Sequence, residues 1–290
     1  RHLNREYILK RLDDIDDLKK SIEDMEDILS SKSRVKKIII EELTKVAQKY
    51  GKDRRSEIIY DCDVEETEEE EIPDYEVNLF FTRDGYFKKI TPLSLRMGGE
   101  HKFKEGDSMV AAVNATNRAE LLFFTDKCQV YKARACDFED TKASVLGDFI
   151  PSKLEFDKDE KPIYMAVTND YKGYMLFFFE NGKVAKVDMS SYYTVTRRKK
   201  LIKAYSNKAP IVEAMYIHED TEIVLVSTAG RHLLINTAAI SPKTTKDTAG
   251  VNVLTVKKYH KLQSVRLYKE GEFVKPHRYR TKTLPAAGAV

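Results

Sequence analysis

The chain has 290 residues, of which 42% are hydrophobic and 33% are charged. This composition excludes a mostly disordered chain and leaves enough apolar material for a sizeable core. The net charge of +3 is unevenly distributed: residues 1–60 carry +2, residues 61–76 carry −10 and residues 77–290 carry +11. A basic block that follows an acidic strip indicates a polyanionic partner.

Residues 1–60 are predicted to be a helical coiled-coil segment. In its first helix, apolar residues recur every seven positions, at Ile8, Ile15, Ile22 and Leu29. This is the seam of a helix pair, and a second apolar stripe runs through residues 35–50. Ser33 is expected to cap the second helix, and Gly51 to end it in a left-handed conformation. The short connection predicts an antiparallel hairpin.

Residues 61–76 are predicted to be an acidic linker. Glu68 to Glu71 repel one another, and Pro73 prevents continuation of a helix. Two interpretations stay open for this strip. It is either a solvated spacer or a competitor that occupies the basic region in place of nucleic acid.

Residues 77–283 are predicted to fold as a mainly β, propeller-like domain of about five blades, followed by a tail at 284–290. A motif of strand, tight turn and second strand recurs, with turns at Gly85, Cys128, Gly182, Gly230 and Gly271. The turns are 41 to 54 residues apart, which is typical of propeller blades. Glycine suits the positive φ of such turns, so Cys128 predicts a different turn in the second unit.

The cysteines and the apolar runs bear on the cellular compartment. Cys62, Cys128 and Cys136 form no CxxC pair, which is typical of reduced thiols in the cytosol. The longest apolar runs, such as residues 175–179, fall far short of the ~20 residues that span a bilayer. We therefore expect a cytoplasmic protein. Because the chain opens without an initiator Met, we also expect a fragment of a longer polypeptide.

Two stretches carry a resemblance to a known family. The first is Glu41-Glu42-Leu43 followed by Tyr50-Gly51-Lys52-Asp53-Arg54-Arg55-Ser56-Glu57-Ile58, and the second comprises the repeats, as in Thr82-Arg83-Asp84-Gly85-Tyr86-Phe87-Lys88 and around Thr248-Ala249-Gly250-Val251. They resemble the A subunit of bacterial type IIA DNA topoisomerases, that is, DNA gyrase and topoisomerase IV. In that family the first stretch closes a long coiled coil, and the repeats form a C-terminal β-pinwheel that binds and bends DNA around its rim.

The resemblance implies a β-pinwheel preceded by a coiled-coil hairpin. It also implies non-sequence-specific duplex DNA binding and bending, in support of ATP-dependent strand passage. One loop departs from the family. Gyrase carries the box Gln-Arg-Arg-Gly-Gly-Lys-Gly, whereas this chain has Leu95-Arg96-Met97-Gly98-Gly99-Glu100-His101 and retains only Arg96, Gly98 and Gly99. The change argues against gyrase-like wrapping, so a topoisomerase IV-like or divergent gyrase-like role is implied at least as strongly as a gyrase-like one.

The resemblance implies no catalytic residue in this fragment, because the family's cleaving tyrosine lies N-terminal to the coiled coil. The chain has no Gly-x-x-x-x-Gly-Lys-Ser/Thr loop for ATP, and its six histidines lack ligand spacing. We expect no cofactor and no metal here. In the intact enzyme, ATP and Mg²⁺ would be used by a B-type ATPase subunit, which would be a partner of an A-subunit homodimer.

Basic residues beside the turns and in the loops are the candidate DNA contacts, since Lys and Arg neutralise phosphate charge without reading sequence. They are Arg83, Lys88, Lys89, Arg96, Lys102, Lys104, Lys132, Arg134, Lys186, Arg197, Arg198, Lys199, Lys200, Lys203, Arg231, Lys257, Lys258 and Lys261. The alternative is a protein-interaction propeller on a dimerising coiled coil, with no role in nucleic-acid binding. A continuous basic rim would favour DNA, and evenly dispersed charge would favour the alternative.

Overall fold

A computed structural model describes residues 4–52, 72–195 and 199–290. The chain forms two compact units, Arg1–Thr67 and Glu68–Val290. Cys62, Arg197 and Arg198 lie outside the described residues, as does the acidic strip up to residue 71 and the part of the first family-like stretch beyond residue 52.

The first unit contains two helices, α1 (Arg5–Ser30) and α2 (Lys32–Tyr50). Ser31 is the only residue between them, and its extended backbone and side chain cap α2 by accepting the amide of Arg34. The cap expected at Ser33 is therefore wrong, because that residue already lies inside the helix. Gly51 has φ −58°, so the helix does not end in the left-handed conformation that was expected.

The apolar stripes of these helices are exposed rather than packed together. Leu18, Leu29 and Leu43 are each more than 60% exposed, and no residue of either helix is buried. Contact between the helices is made at the junction, where Arg34 pairs with Asp24 at 2.9 Å and with Asp27. A single connecting residue is too short to reverse the chain, since helical hairpins need a loop of about two to five residues.

The second unit is mainly β and consists of four antiparallel sheets, which we call blades 1 to 4. Its strands are β1 (Glu76–Thr82), β2 (Tyr86–Ile90), β3 (Met109–Thr116), β4 (Glu120–Thr125), β5 (Gln129–Arg134), β6 (Asp148–Phe149), β7 (Pro162–Thr168), β8 (Tyr174–Phe179), β9 (Lys183–Asp188), β10 (Lys200–Ile202), β11 (Ile211–Ile217), β12 (Glu222–Ser227), β13 (His232–Asn236), β14 (Val251–Asn252) and β15 (Leu262–Leu267). Two short helices accompany them, α3 (Pro92–Met97) and α4 (Ile150–Lys153).

Each blade has the same strand order from its inner to its outer edge. The orders are β3-β1-β2-β6, β7-β4-β5-β10, β11-β8-β9-β14 and β15-β12-β13. The inner strands β3, β7, β11 and β15 contact their neighbours in series, so the opposite edge of each sheet forms the rim. The inner strands of blades 1 to 3 also lead directly into the next blade, as β3 leads into β4.

The outer strand of blades 1 to 3 is supplied by the following repeat. After β5 of blade 2 the chain returns to blade 1 as β6, and after β9 of blade 3 it returns to blade 2 as β10. In the same way, β14 follows β13 of blade 4 and pairs with β9 of blade 3. Successive blades are therefore interlocked through the backbone as well as through side chains.

The central hairpins share one turn geometry. Gly85, Gly182 and Gly230 have φ between 69° and 93°, and Cys128 adopts φ 57° at the equivalent place. The amide of Cys128 donates to Thr125 O at 3.2 Å, as that of Gly85 donates to Thr82 O at 3.1 Å. The prediction of a different turn at Cys128 is therefore wrong. A cysteine tolerates this conformation at a cost of roughly 1–2 kcal/mol, which the surrounding ladder offsets.

The core of the described residues consists of three apolar layers, one between each pair of neighbouring blades, and a small fourth cluster around Phe80 and Ile90 of blade 1. In β4, Leu121 and Phe123 face blade 1, while Leu122 and Phe124 face blade 3. The third layer joins blades 3 and 4. A strand that is buried on both faces has no polar side chain in its centre, which explains the continuous apolar runs of β4 and β8. Within the described residues, no such layer joins blade 4 to blade 1.

The fifth repeat expected at Gly271 does not form a blade. Gly271 has the expected positive φ, but β15 pairs with β12 in blade 4, and no strand pair surrounds the glycine. Residues 268–290 instead cover blade 4. Leu284 and Ala286 of the expected tail pack on the layer between blades 3 and 4, and Ala289 exchanges two backbone hydrogen bonds with His232. The unit therefore has four blades rather than about five.

Candidate nucleic-acid interface

Three of the candidate lysines are buried. Lys88, Lys89 and Lys186 are 1%, 3% and 2% exposed. They lie on the second strand of a hairpin, where alternate side chains point between neighbouring elements. As placed, none of them can reach a phosphate outside the protein, so we do not retain them as DNA contacts.

Lys88 holds the chain that directly follows the loop corresponding to the gyrase box. Its Nζ donates to the carbonyl oxygens of Lys102 at 2.7 Å and Ala143 at 3.1 Å, and it lies 5.2 Å from the ring centre of Phe103. Burial lowers the pKa of Lys88. This lysine therefore fixes residues 102 and 103 against blade 1.

Lys89, Lys132 and Lys186 occupy the same position in three successive repeats, four residues after the turn. Each ammonium lies near a tyrosine ring, at 5.8 Å from Tyr75, 5.0 Å from Tyr171 and 4.3 Å from Tyr174.

Each of these ammonium groups also faces a carboxylate. The distances are 3.1 Å from Lys89 to Asp140, 3.9 Å from Lys132 to Glu120 and 2.6 Å from Lys186 to Asp220. The fourth repeat has Leu234 at this place. The lysine, tyrosine and carboxylate form a repeated internal brace, which is buried at Lys89 and Lys186 and partly exposed at Lys132.

The other candidates in the described residues lie closer to solvent. The exposed ones are Arg83, Arg96, Lys102, Lys104, Lys199, Lys203, Lys257, Lys258 and Lys261. Arg134, Lys200 and Arg231 are partly buried. Several of these groups have internal partners: Arg83 with Gly106 O at 2.5 Å, Lys200 with Asp157 at 2.6 Å, Arg231 with Gly288 O at 3.1 Å and Lys261 with Glu180 at 2.9 Å.

A groove of about 590 Å³ brings some of these residues together near the outer edge of blade 2. Lys132, Arg134 and Lys199 line it together with Lys153. Glu120, Asp137 and Glu155 line it too, so its charge is close to balanced. The groove gathers candidates from two repeats, but it is not strongly basic.

The rim carries basic residues that the sequence analysis did not select. In blades 1, 3 and 4, the chain that comes back to the blade makes a loop before it pairs with the outer edge of the sheet. These loops are residues 141–147, 243–250 and 281–288, and we call them the rim loops. Lys142, Lys243 and Lys282 are exposed near the start of each rim loop. The signal that could have found them is the glycine that ends every rim loop, at 147, 250 and 288.

The described residues contain no group of three or more His, Cys, Asp or Glu side chains placed to bind a metal ion. None of the helices in the described ranges is long and apolar enough to cross a membrane.

No family model matches the chain. The chain is 28% identical over 224 residues to the A subunit of DNA gyrase from Mycoplasma genitalium, which covers 74% of the chain and 27% of that protein. It is 25% identical over 280 residues to the protein of the same name from Metamycoplasma arthritidis, covering 92% of the chain and 31% of that protein. The chain thus spans about a third or less of these relatives.

Among solved structures, the second unit is similar to the C-terminal domain of DNA topoisomerase IV, with a TM-score of 0.59, 25% identity, and coverage of 68% of this chain and 62% of that one. The resemblance to the A subunit of a type IIA topoisomerase is confirmed. The Escherichia coli ParC C-terminal domain has the same fold, with a TM-score of 0.51 and 16% identity over 66% of this chain and 79% of that one. The β-pinwheel expected from the resemblance to topoisomerase A subunits is thus the observed fold, with four blades.

Proposed function

We propose that this chain is the C-terminal portion of the A subunit of a type IIA topoisomerase, and that it binds and bends duplex DNA without reading sequence. The observation that carries the proposal is the distribution of charge within the bladed unit. Residues 77–290 carry a net +11, and two of the three buried candidate lysines, Lys89 and Lys186, are neutralised by internal carboxylates. The excess positive charge therefore lies at the surface, where it can release counterions from DNA.

In the intact enzyme this portion would present bent DNA for ATP-dependent strand passage. The cleaving tyrosine would lie outside the chain, and the ATP and Mg²⁺ would be used by a B-type ATPase subunit that partners an A-subunit homodimer in the bacterial cytoplasm. Glu100 in place of the box lysine supports a role without gyrase-like wrapping. Supercoiling and decatenation assays on the reconstituted full-length enzyme distinguish the two roles.

A salt titration of duplex binding tests the central proposal. The full chain is titrated against a fluorescently labelled duplex at several salt concentrations, and bending is followed by energy transfer between the duplex ends. We expect log K to fall linearly with log salt, with a slope of about −0.9 per phosphate contact. Absence of binding at low salt, or binding that is insensitive to salt, would overturn the proposal and favour the protein-interaction propeller.

The acidic strip is proposed to compete with DNA for the bladed unit. Deleting residues 63–71 removes seven carboxylates and should tighten duplex binding, with a larger effect at low salt because the competition is electrostatic. Replacing the same residues with a neutral segment of equal length is the control for length. Unchanged affinity in both variants would show that the strip is a spacer.

A further inference from the structure

We propose that His101 is a pH-sensitive latch, which holds residues 101–103 against blade 1 while its ring is neutral and releases them when the ring is protonated. The inference goes beyond the proposed function, because it concerns a conformational change that requires no DNA. It rests on the packing of the His101 ring, on a buried ring nitrogen without a hydrogen-bond partner and on the ammonium group of Lys88.

The latched segment covers a face of blade 1 on which, within the described residues, no other blade packs. Leu79 and Phe81 of β1 face blade 2, so Phe80 points to the opposite side of the sheet. The centre of the His101 ring lies 4.4 Å from that of Phe80, which is only 9% exposed. The ring of Phe103 stacks nearly parallel to that of His101, at 6.1 Å. His101 therefore occupies a place that suits an apolar side chain.

One nitrogen of this ring lacks a hydrogen-bond partner. The Nδ1 atom of His101 is buried, and no group of the described residues forms a hydrogen bond with it. A neutral ring can leave Nδ1 without a hydrogen, whereas both nitrogens of a protonated ring are donors. Protonation in place would therefore bury a charged N–H without an acceptor, which costs more than burying a neutral polar atom.

Lys88 adds a like charge to the same surroundings. Its ammonium donates to the carbonyl oxygens of Lys102 at 2.7 Å and Ala143 at 3.1 Å, and it lies 5.2 Å from the ring centre of Phe103. Burial of the ring and the positive charge of Lys88 both lower the pKa of His101. Solvation and charge thus oppose protonation as long as the segment stays against the blade.

The other described elements around the ring supply no carboxylate that would favour the protonated form. The strand β1 presents Phe80, and the rim loop of blade 1 contacts the segment through Ala143, whose carbonyl oxygen accepts the Lys102 amide at 2.9 Å. The charged neighbours in sequence, Glu100, Lys102 and Lys142, are exposed, and solvent screens their charges.

The pH range of the change follows from these interactions. A released His101 regains the ordinary histidine pKa of about 6.5, so the released segment binds more protons than the latched one below that value. The latch is therefore at full strength above about pH 6.5 and weakens as the pH falls towards the lowered pKa of His101. Over that range each pH unit shifts the equilibrium by up to about tenfold.

Hydrogen exchange of the Lys102 amide reports the state of the segment, because this amide donates to Ala143 O in the latched arrangement. The isotope-labelled full chain is followed by NMR between about pH 7.5 and pH 5, with each rate corrected for the intrinsic pH dependence of exchange. His101→Phe keeps an aromatic ring over Phe80 and removes the titrating group. His277→Phe makes the same change at an exposed histidine and is the matched control.

In the unmodified chain and in His277→Phe, we expect protection of the Lys102 amide to fall by up to about tenfold for each pH unit below about 6.5. Protection in His101→Phe should not change with pH over this range. The same pH dependence in His101→Phe and the unmodified chain would overturn the inference.

The titration of the His101 ring itself is a second measurement, which decides the question even if His101→Phe does not fold. It is followed by NMR in the unmodified chain, and its midpoint should lie below the ordinary value of about 6.5. A ring that titrates at or above about pH 6.5 would be accessible to protons without release, and the latch would then be refuted.

Discussion

Each rim loop ends in a glycine that the local geometry requires. Gly147 has φ +87°, and a Cβ built on it would overlap the carbonyl oxygen of Phe87. Gly250 and Gly288 meet the equivalent carbonyl oxygens of Val184 and His232 in the same way. The outer strand can therefore approach its neighbour only where this residue has no side chain.

Replacing Gly147 with alanine should lower the free energy of unfolding by about 2 kcal/mol, because backbone strain and the overlap with Phe87 O add together. Two controls separate these causes. Gly230 has a positive φ but open space around it, so Gly230→Ala should lower the free energy of unfolding by about 1 kcal/mol. Gly99 has neither a positive φ nor a close neighbour, so Gly99→Ala should leave the free energy of unfolding nearly unchanged. Urea unfolding measures all three. Equal values for the three variants would contradict the explanation.

The Lys186–Asp220 brace predicts a pH dependence. Burial raises the pKa of Asp220, but hydrogen bonds from Lys186 and Thr237 outweigh it, and the net pKa is lowered. The brace therefore stabilises the fold above the ordinary carboxyl pKa of about 4, and this stabilisation is lost as the pH falls through the lowered value.

Lys186→Met should cost about 2 kcal/mol at neutral pH, since Asp220 loses a charged partner although it remains partly solvated. Below about pH 4 the difference from the unmodified chain should begin to shrink, and it should be lost once the pH has fallen through the lowered pKa of Asp220, because the carboxyl group is then protonated in both proteins. Chemical unfolding at several pH values measures this. A difference that stays constant down to about pH 2 would show that packing, rather than the ion pair, accounts for the loss.

At the scale of elements, the junction between α1 and α2 depends on one residue. Ser31→Ala removes the side chain that accepts the Arg34 amide and should destabilise the start of α2 by about 1 kcal/mol. Hydrogen exchange of the first amides of α2 reports this directly. Ser33→Ala is the matched control and should have no such effect, because alanine is favourable inside a helix. Faster exchange in the control alone would identify Ser33 as the cap after all.

The strands were predictable because their physical signals are local. Apolar runs such as Leu121 to Phe124 and the turn glycines follow from burial and from positive φ. Which lysines are buried and which are exposed was not predictable. The carboxylates that pair with Lys89 and Lys186, those of Asp140 and Asp220, come from distant segments of the chain, and only the fold brings them together. The lysines of the rim loops were missed for the same reason, since rim position depends on pairing across repeats.

The fifth repeat shows a related limit. Its turn glycine is present. The residues on either side of it, as in Lys269-Glu270-Gly271-Glu272, are charged and do not supply the apolar runs that two buried strands need. The segment instead stacks Phe273 on Tyr279 at 4.5 Å and pairs Arg280 with Glu222 at 2.7 Å. A turn signal alone does not predict a blade, because a blade also needs two apolar faces.

For the whole molecule, the C-terminal segment acts as the cap of the array. Removing residues 279–290 should leave the amides of His232 and Leu234 without their acceptors, Ala289 O and Tyr279 O. Since the apolar layers join only neighbouring blades, blade 4 should lose protection from hydrogen exchange while blade 1 keeps it. Loss of protection in all four blades would show that the array unfolds as one unit, and no loss in blade 4 would show that the segment is not its cap.

The donation of each outer strand by the following repeat also has a consequence for the order of assembly. On the ribosome, the hairpin of one blade emerges well before the strand that completes its edge, because an entire further hairpin is synthesised between them. Blades 1 to 3 must therefore wait, each with one edge open, until the next hairpin has been made. Completion proceeds from the first blade to the last, and blade 4 closes only when the final residues, Gly288 and Ala289, reach His232.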